Sequence, residues 1–164
     1  MNKDYLVLKQ FWSLYKSQNF IDKTIHTHIL PSKNIMEKYI EIKNRIIGNE
    51  SYNFIHYRYE KDFTGYFIIN VDTIDNLIEN IKFKNNSLKI FIATSKIKSI
   101  LDLHNSKYKN LIYKDDDMLM DLNFEQRAFI DYMFGLNSVE CYGHRKSSFS
   151  VMINNIQKTN NYYA

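Results

Sequence analysis

Short apolar runs alternate with amphipathic stretches of helical period along most of this chain, and that alternation narrows the folds open to it. Tyr52–Tyr57, Leu88–Ala93, Asn110–Tyr113 and Ser138–Tyr142 read as strands. Leu88–Ala93 is mostly apolar, as in a buried parallel strand. A helix is expected over 33–47, opened by Pro31-Ser32, with Ile35, Tyr39, Ile42 and Ile46 on one stripe and Gly48 at its stop. Further helices are expected over 72–84, with Asp72 as N-cap and Asp75 in the capping-box position, and over 96–104. The last two span 124–136, capped by Asn123 with Gln126 three residues on, and 147–157. Strand and helix in turn predict an α/β domain with a parallel sheet and crossover helices. Ligands in such sheets sit beyond the C-terminal strand ends, here near Arg58, Thr94, Tyr113 and Gly143.

The 164 residues suffice for one domain with a real core, and 45% hydrophobic content is ordinary for a globular protein. We expect a helical extension over 1–30, a main domain over 31–158 and a tail over 159–164. Within the extension, Leu8, Phe11, Trp12 and Tyr15 form a helical stripe over residues 4–17. No uncharged apolar run approaches the ~18 residues of a membrane span. Asp4 and Lys9 interrupt the N-terminus, which does not read as a signal peptide, so the expected compartment is the cytoplasm by default. Cys141 is the only cysteine, which excludes an internal disulfide. The net charge of +4 suits an anionic partner, but a chain rich in Asn, Ile, Lys and Tyr reaches it through AT-rich coding as well.

Three groups could carry chemistry. His56 and Arg58 lie two apart at the exit of the first strand and so point to one side of it. The Arg58 fork suits a phosphate, or an ion pair with Glu60 or Asp62. His144-Arg145-Lys146-Ser147-Ser148-Phe149 enters the last helix, whose free amides, serine hydroxyls and nearby cations form a phosphate cradle. Plain N-capping by Ser147 is the other reading. Asp115-Asp116-Asp117 either holds a divalent metal or is a solvated loop. His26 and His28 lack a third ligand at suitable spacing. There is no glycine-rich dinucleotide or P-loop motif, no Gly-x-Ser-x-Gly elbow and no nucleic-acid motif.

Together these segments resemble the GDP-fucose protein O-fucosyltransferase family, which is related to α1,2- and α1,6-fucosyltransferases. The family's first motif, a strand ending in His-x-Arg, reads here Asn53-Phe54-Ile55-His56-Tyr57-Arg58-Tyr59-Glu60-Lys61-Asp62. Ile29-Leu30-Pro31-Ser32-Lys33 before it and Ile90-Phe91-Ile92-Ala93-Thr94 after it are similar to family segments. The last motif is matched by Asp131, Gly143, Ser147, Ser148 and Phe149 in that order. The resemblance covers roughly residues 29–158. It implies a Rossmann-like domain similar to the C-terminal half of a GT-B glycosyltransferase, and an inverting transfer that requires no metal or other cofactor.

On this resemblance the donor substrate is GDP-fucose and the acceptor a hydroxyl of a protein or glycan, with no nucleic-acid partner and no membrane span. Arg58 would bind the β-phosphate and be the catalytic group. Ser147, Ser148 and Phe149 would hold the diphosphate, His56 and Asp131 would lie around the nucleoside, and Thr94 would line the same pocket. Glu60, a possible base, reads as structural. About 30 residues precede the resembling region, fewer than the family's N-terminal half, so a fragment, a split-gene product or a degenerate relative is expected. A binding or interaction module without turnover is the alternative to an active transferase. A nucleic-acid-binding domain is a third reading, and it predicts a steep loss of affinity with salt.

Overall fold

A computed structural model of the chain describes residues 30–58, 73–95 and 97–163. The helix expected over 4–17 lies outside them, as do His26, His28, Glu60, Asp62 and Asp72. The described elements are α1 (Lys33–Ile46), β1 (Tyr52–His56), α2 (Ile74–Asn80), β2 (Lys89–Ala93), α3 (Ile97–Ser106) and β3 (Leu111–Ile112). After a 3₁₀ turn (Asp116–Leu119) come α4 (Phe124–Leu136), β4 (Cys141–His144), α5 (Ser148–Gln157) and β5 (Tyr162–Tyr163). The five strands form one sheet in the order β3-β2-β1-β4-β5. All four pairings are parallel, so the expected α/β architecture with crossover helices is what the chain adopts.

Strand alternation divides the core into two layers. Phe54, Phe91, Ala93 and Cys141 pack with Ile35, Tyr39 and Ile42 of α1, Ile130 and Phe134 of α4 and Ile153 of α5. Ile55, Tyr57, Ile90, Ile92 and Leu111 face the other way, onto Ile74, Leu77 and Ile78 of α2 and Ile100 of α3. The first layer is built on rings. Phe91 stacks on Phe134 with centroids 4.3 Å apart, and Phe54 stacks on Phe91 at 5.8 Å. Each fully buried ring contributes about 1.5–3 kcal/mol of transfer free energy.

The ends of the elements depart from the sequence reading for identifiable reasons. Thr73 caps α2, its hydroxyl accepting from the Asn76 amide at 3.3 Å, while the Asp75 carboxylate receives bonds from Lys107 and Tyr108. That helix stops at Asn80, because Ile81 and Phe83 continue in extended alternation and bury their side chains. β4 begins at Cys141, not Ser138, because Ser138 finishes the C-terminus of α4 by donating through Oγ to Gly135 O at 2.7 Å. The expected Asn123–Gln126 capping box at α4 is present in both directions. The tail expected over 159–164 contributes β5 at the sheet edge.

Candidate functional site

Strands β1, β2 and β3 run outward to one side, and the chain then returns to lay β4 on the other side of β1. Strand order therefore reverses between β1 and β4, and in open parallel sheets the crevice beyond the strand ends at such a reversal is the ligand position. Two of the three segments singled out from sequence meet there. His56 is in register with Gly143, so the exit of β1, with Arg58, adjoins the turn from β4 into α5.

Gly143 makes this close approach possible. A Cβ at that position would lie 2.2 Å from Ser150 Oγ and 2.4 Å from Ser150 Cβ. With only hydrogen there, the first turn of α5 rests against β4 and Ser150 Oγ reaches His56 Nδ1 at 2.8 Å. Phe149 covers the imidazole, centroids 4.5 Å apart, and Tyr132 of α4 meets Phe149 edge-on at 6.2 Å. Burial, then the positive charge of Arg58, and in acid a protonated His144 lower the His56 pKa to about 3, so the ring is neutral near pH 7. His144 is also held neutral, by burial and by Lys146. Its Nδ1 accepts from the Lys146 amide at 3.1 Å, which fixes the tight turn.

Ser147 occupies the N-cap position of α5, yet its side chain makes no capping bond. The residue is 1% exposed and its Oγ is a buried hydroxyl without a hydrogen-bond partner. Burying a hydroxyl unpaired costs about 1–3 kcal/mol, so plain capping does not account for this serine. Beside it the amides of Ser148, Phe149 and Ser150 open the helix, and such first-turn amides have no intrahelical acceptor. The Arg145 guanidinium lies 5.9 Å from the Tyr162 ring. Arg58 and Thr94 are both half-buried just past the ends of β1 and β2. Donors and positive potential dominate this rim, a chemistry suited to an anion.

Asp131 lies on α4 and is partly buried. It pairs with Lys114, a buried lysine two residues past β3 that the sequence reading did not single out. Ser150 was missed too, although it lies one helical turn after Ser147. Asp115, Asp116 and Asp117 open the 3₁₀ turn after β3, two strands away from the reversal point. Among the described residues no three His, Cys, Asp or Glu side chains come together as a metal site. Among them also, no helix is long and apolar enough to cross a membrane.

No family model matches the chain, and no curated protein matches it either. Solved structures do. A crystal structure of NodZ alpha-1,6-fucosyltransferase soaked with GDP-fucose superposes with a TM-score of 0.62 at 10% identity, over 87% of this chain and 48% of that one. A second structure, of fucosyltransferase NodZ from Bradyrhizobium, gives a TM-score of 0.50 at 10% identity, covering 75% of this chain and 41% of its own. The fold is thus similar to that of about half of those enzymes, and the chain spans about half their length.

Proposed function

We propose that this chain is the donor-binding part of a fucosyltransferase, and that its reversal point holds the diphosphate of GDP-fucose between Arg58 and the first turn of α5. The observation that carries this reading is the joining of the His56–Arg58 strand exit to a helix N-terminus whose N-cap hydroxyl is buried and unpartnered. The resemblance in motif order and the likeness of fold to a transferase soaked with GDP-fucose support the nucleotide-sugar. Ser147, Ser148 and Phe149 hold the diphosphate, His56 and Asp131 lie toward the nucleoside, and Thr94 lines the pocket.

The reaction is displacement at the anomeric carbon with inversion. An acceptor hydroxyl oxygen of a protein or glycan forms the new bond as the bond from that carbon to the β-phosphate oxygen breaks. The hydroxyl proton goes to a base, and GDP leaves with the electron pair. Charge grows on the leaving diphosphate, so fixed donors aimed at it lower the barrier, and a guanidinium with a helix N-terminus does the work that a metal does elsewhere.

Calorimetric titration with GDP-fucose, with UDP-glucose as control and beside Arg58→Ala, tests the reading. Expected is selective binding that the variant loses, together with at least a hundredfold drop in any transfer rate, the cost of about 3 kcal/mol for one lost donor. Absence of GDP-fucose binding by the wild-type chain overturns the proposal. Binding with no transfer to any acceptor favours a sugar-nucleotide-binding module.

A further inference from the structure

Strand β5 reaches into the reversal point. Gly143 is in register with Tyr162 and His144 with Tyr163. The Gly143 amide donates to Asn161 O at 3.4 Å and the Arg145 amide to Tyr163 O at 3.3 Å, so β5 holds both sides of the tight turn before α5. The Tyr163 ring meets the His144 imidazole edge-on, centroids 5.5 Å apart. Its hydroxyl then passes beyond β4 and donates to the main-chain carbonyl of His56 on β1 at 2.6 Å.

The return that places β5 there is itself secured. Lys158 ends α5 in the left-handed conformation at φ 55°. Fully buried Asn154 accepts through Oδ1 from Thr159 Oγ1 at 2.5 Å and from the Asn161 amide at 3.1 Å, and donates through Nδ2 to Ser150 O at 3.1 Å. One asparagine therefore links the first turn of α5 to the strand that carries Tyr163.

From these contacts we infer that Tyr163 is a positioning residue for the anion site: it fixes the β1 exit, and through it Arg58, against the β4–α5 turn. The inference rests on the reading of that crevice as the diphosphate site. A side chain from an edge strand that skips its neighbour and bonds the main chain of the next strand constrains two strand ends at once. The two groups of donors it relates, Arg58 and the α5 amides, come from separate strands. Their spacing must match one diphosphate, and misplacement of catalytic donors by about 1 Å costs large factors in rate.

Tyr163→Phe keeps the ring on His144 and removes only the hydroxyl. Two measurements read it. In the ligand-free protein, amide hydrogen exchange is expected to accelerate at Tyr57, Arg58 and 147–150 while β2 and α3 stay as in wild type. In titration, GDP-fucose affinity is expected to fall about fivefold to tenfold, the effect of one hydrogen bond. Unchanged exchange at both strand ends overturns the inference, and so does acceleration spread evenly over the sheet, which marks a loss of general stability. The exchange result stands even where wild-type protein binds no GDP-fucose, an outcome that removes the diphosphate reading alone.

Discussion

Ser147 shows what a single residue's surroundings add to its sequence context. Serine before a helix reads first as a cap and only then as a ligand donor. Its hydroxyl is buried, makes no capping bond and has no other partner. The two roles predict opposite signs for Ser147→Ala. A capping serine loses about 1 kcal/mol of stability on truncation. An unpaired buried hydroxyl costs the folded state, so its removal is expected to leave stability unchanged or raise it by up to about 1 kcal/mol, while GDP-fucose affinity falls. Urea melts and titration of the same variant decide, and a loss of stability with unaltered binding returns Ser147 to a cap. Residues whose role depends on a distant partner were not legible in this way. Lys114 sits beside an acidic run in sequence, yet pairs with Asp131 on α4. Tyr163 reads as tail and bonds His56, 107 positions back.

The elements themselves were legible wherever their period was strong. Helices α1, α4 and α5 and strands β1 and β2 lie where apolar spacing placed them, within a residue or two. Boundaries failed where side chains competed for backbone groups. Ser138, a β4 residue by its apolar neighbours, instead closes α4, and Gln157 joins it there by donating to Gly135 O at 2.9 Å and Ser138 O at 3.2 Å. Strand β5 was too short, at two residues, to show any period. The contact of α5 with β4 depends on Gly143, and its consequence belongs to the whole helix. In Gly143→Ala the new methyl overlaps the Ser150 side chain at its root, so α5 must move rather than one rotamer. Expected are a loss of about 1–3 kcal/mol in stability, loss of the His56–Ser150 bond, and at least tenfold weaker GDP-fucose binding. A variant that melts and binds like wild type shows that the helix start is not fixed by this contact.

Across the whole molecule, two neutral histidines beneath the anion rim make stability depend on pH. The unfolded chain protonates His56 near its ordinary 6.5, whereas the folded chain resists protonation down to about 3, chiefly through burial and then through Arg58 and His144. His144 is shifted in the same direction by burial and Lys146. Below pH 6.5 the unfolded state therefore binds more protons than the folded one, and stability falls as pH falls. His56 alone accounts for up to ~1.4 kcal/mol per pH unit across that window, a large part of the ~5–15 kcal/mol that holds a domain together. Asp75, lowered by Lys107 and Tyr108, acts in the same direction only below its ordinary 3.8, and its pair is exposed. Between pH 6.5 and 4.5 the two histidines are therefore expected to lower stability, while that pair is not. Urea unfolding at pH 7.5, 6.5, 5.5 and 4.5 is expected to give a flat upper limb and then a steady decline, shallower in His56→Gln, which keeps a polar group near Ser150 without a titrating ring. A midpoint constant from pH 7.5 to 4.5, or a decline of equal slope in that variant, shows that His56 accepts its proton in the folded state. In that case the crevice gains a positive charge in mild acid, and anion binding there would strengthen as pH falls.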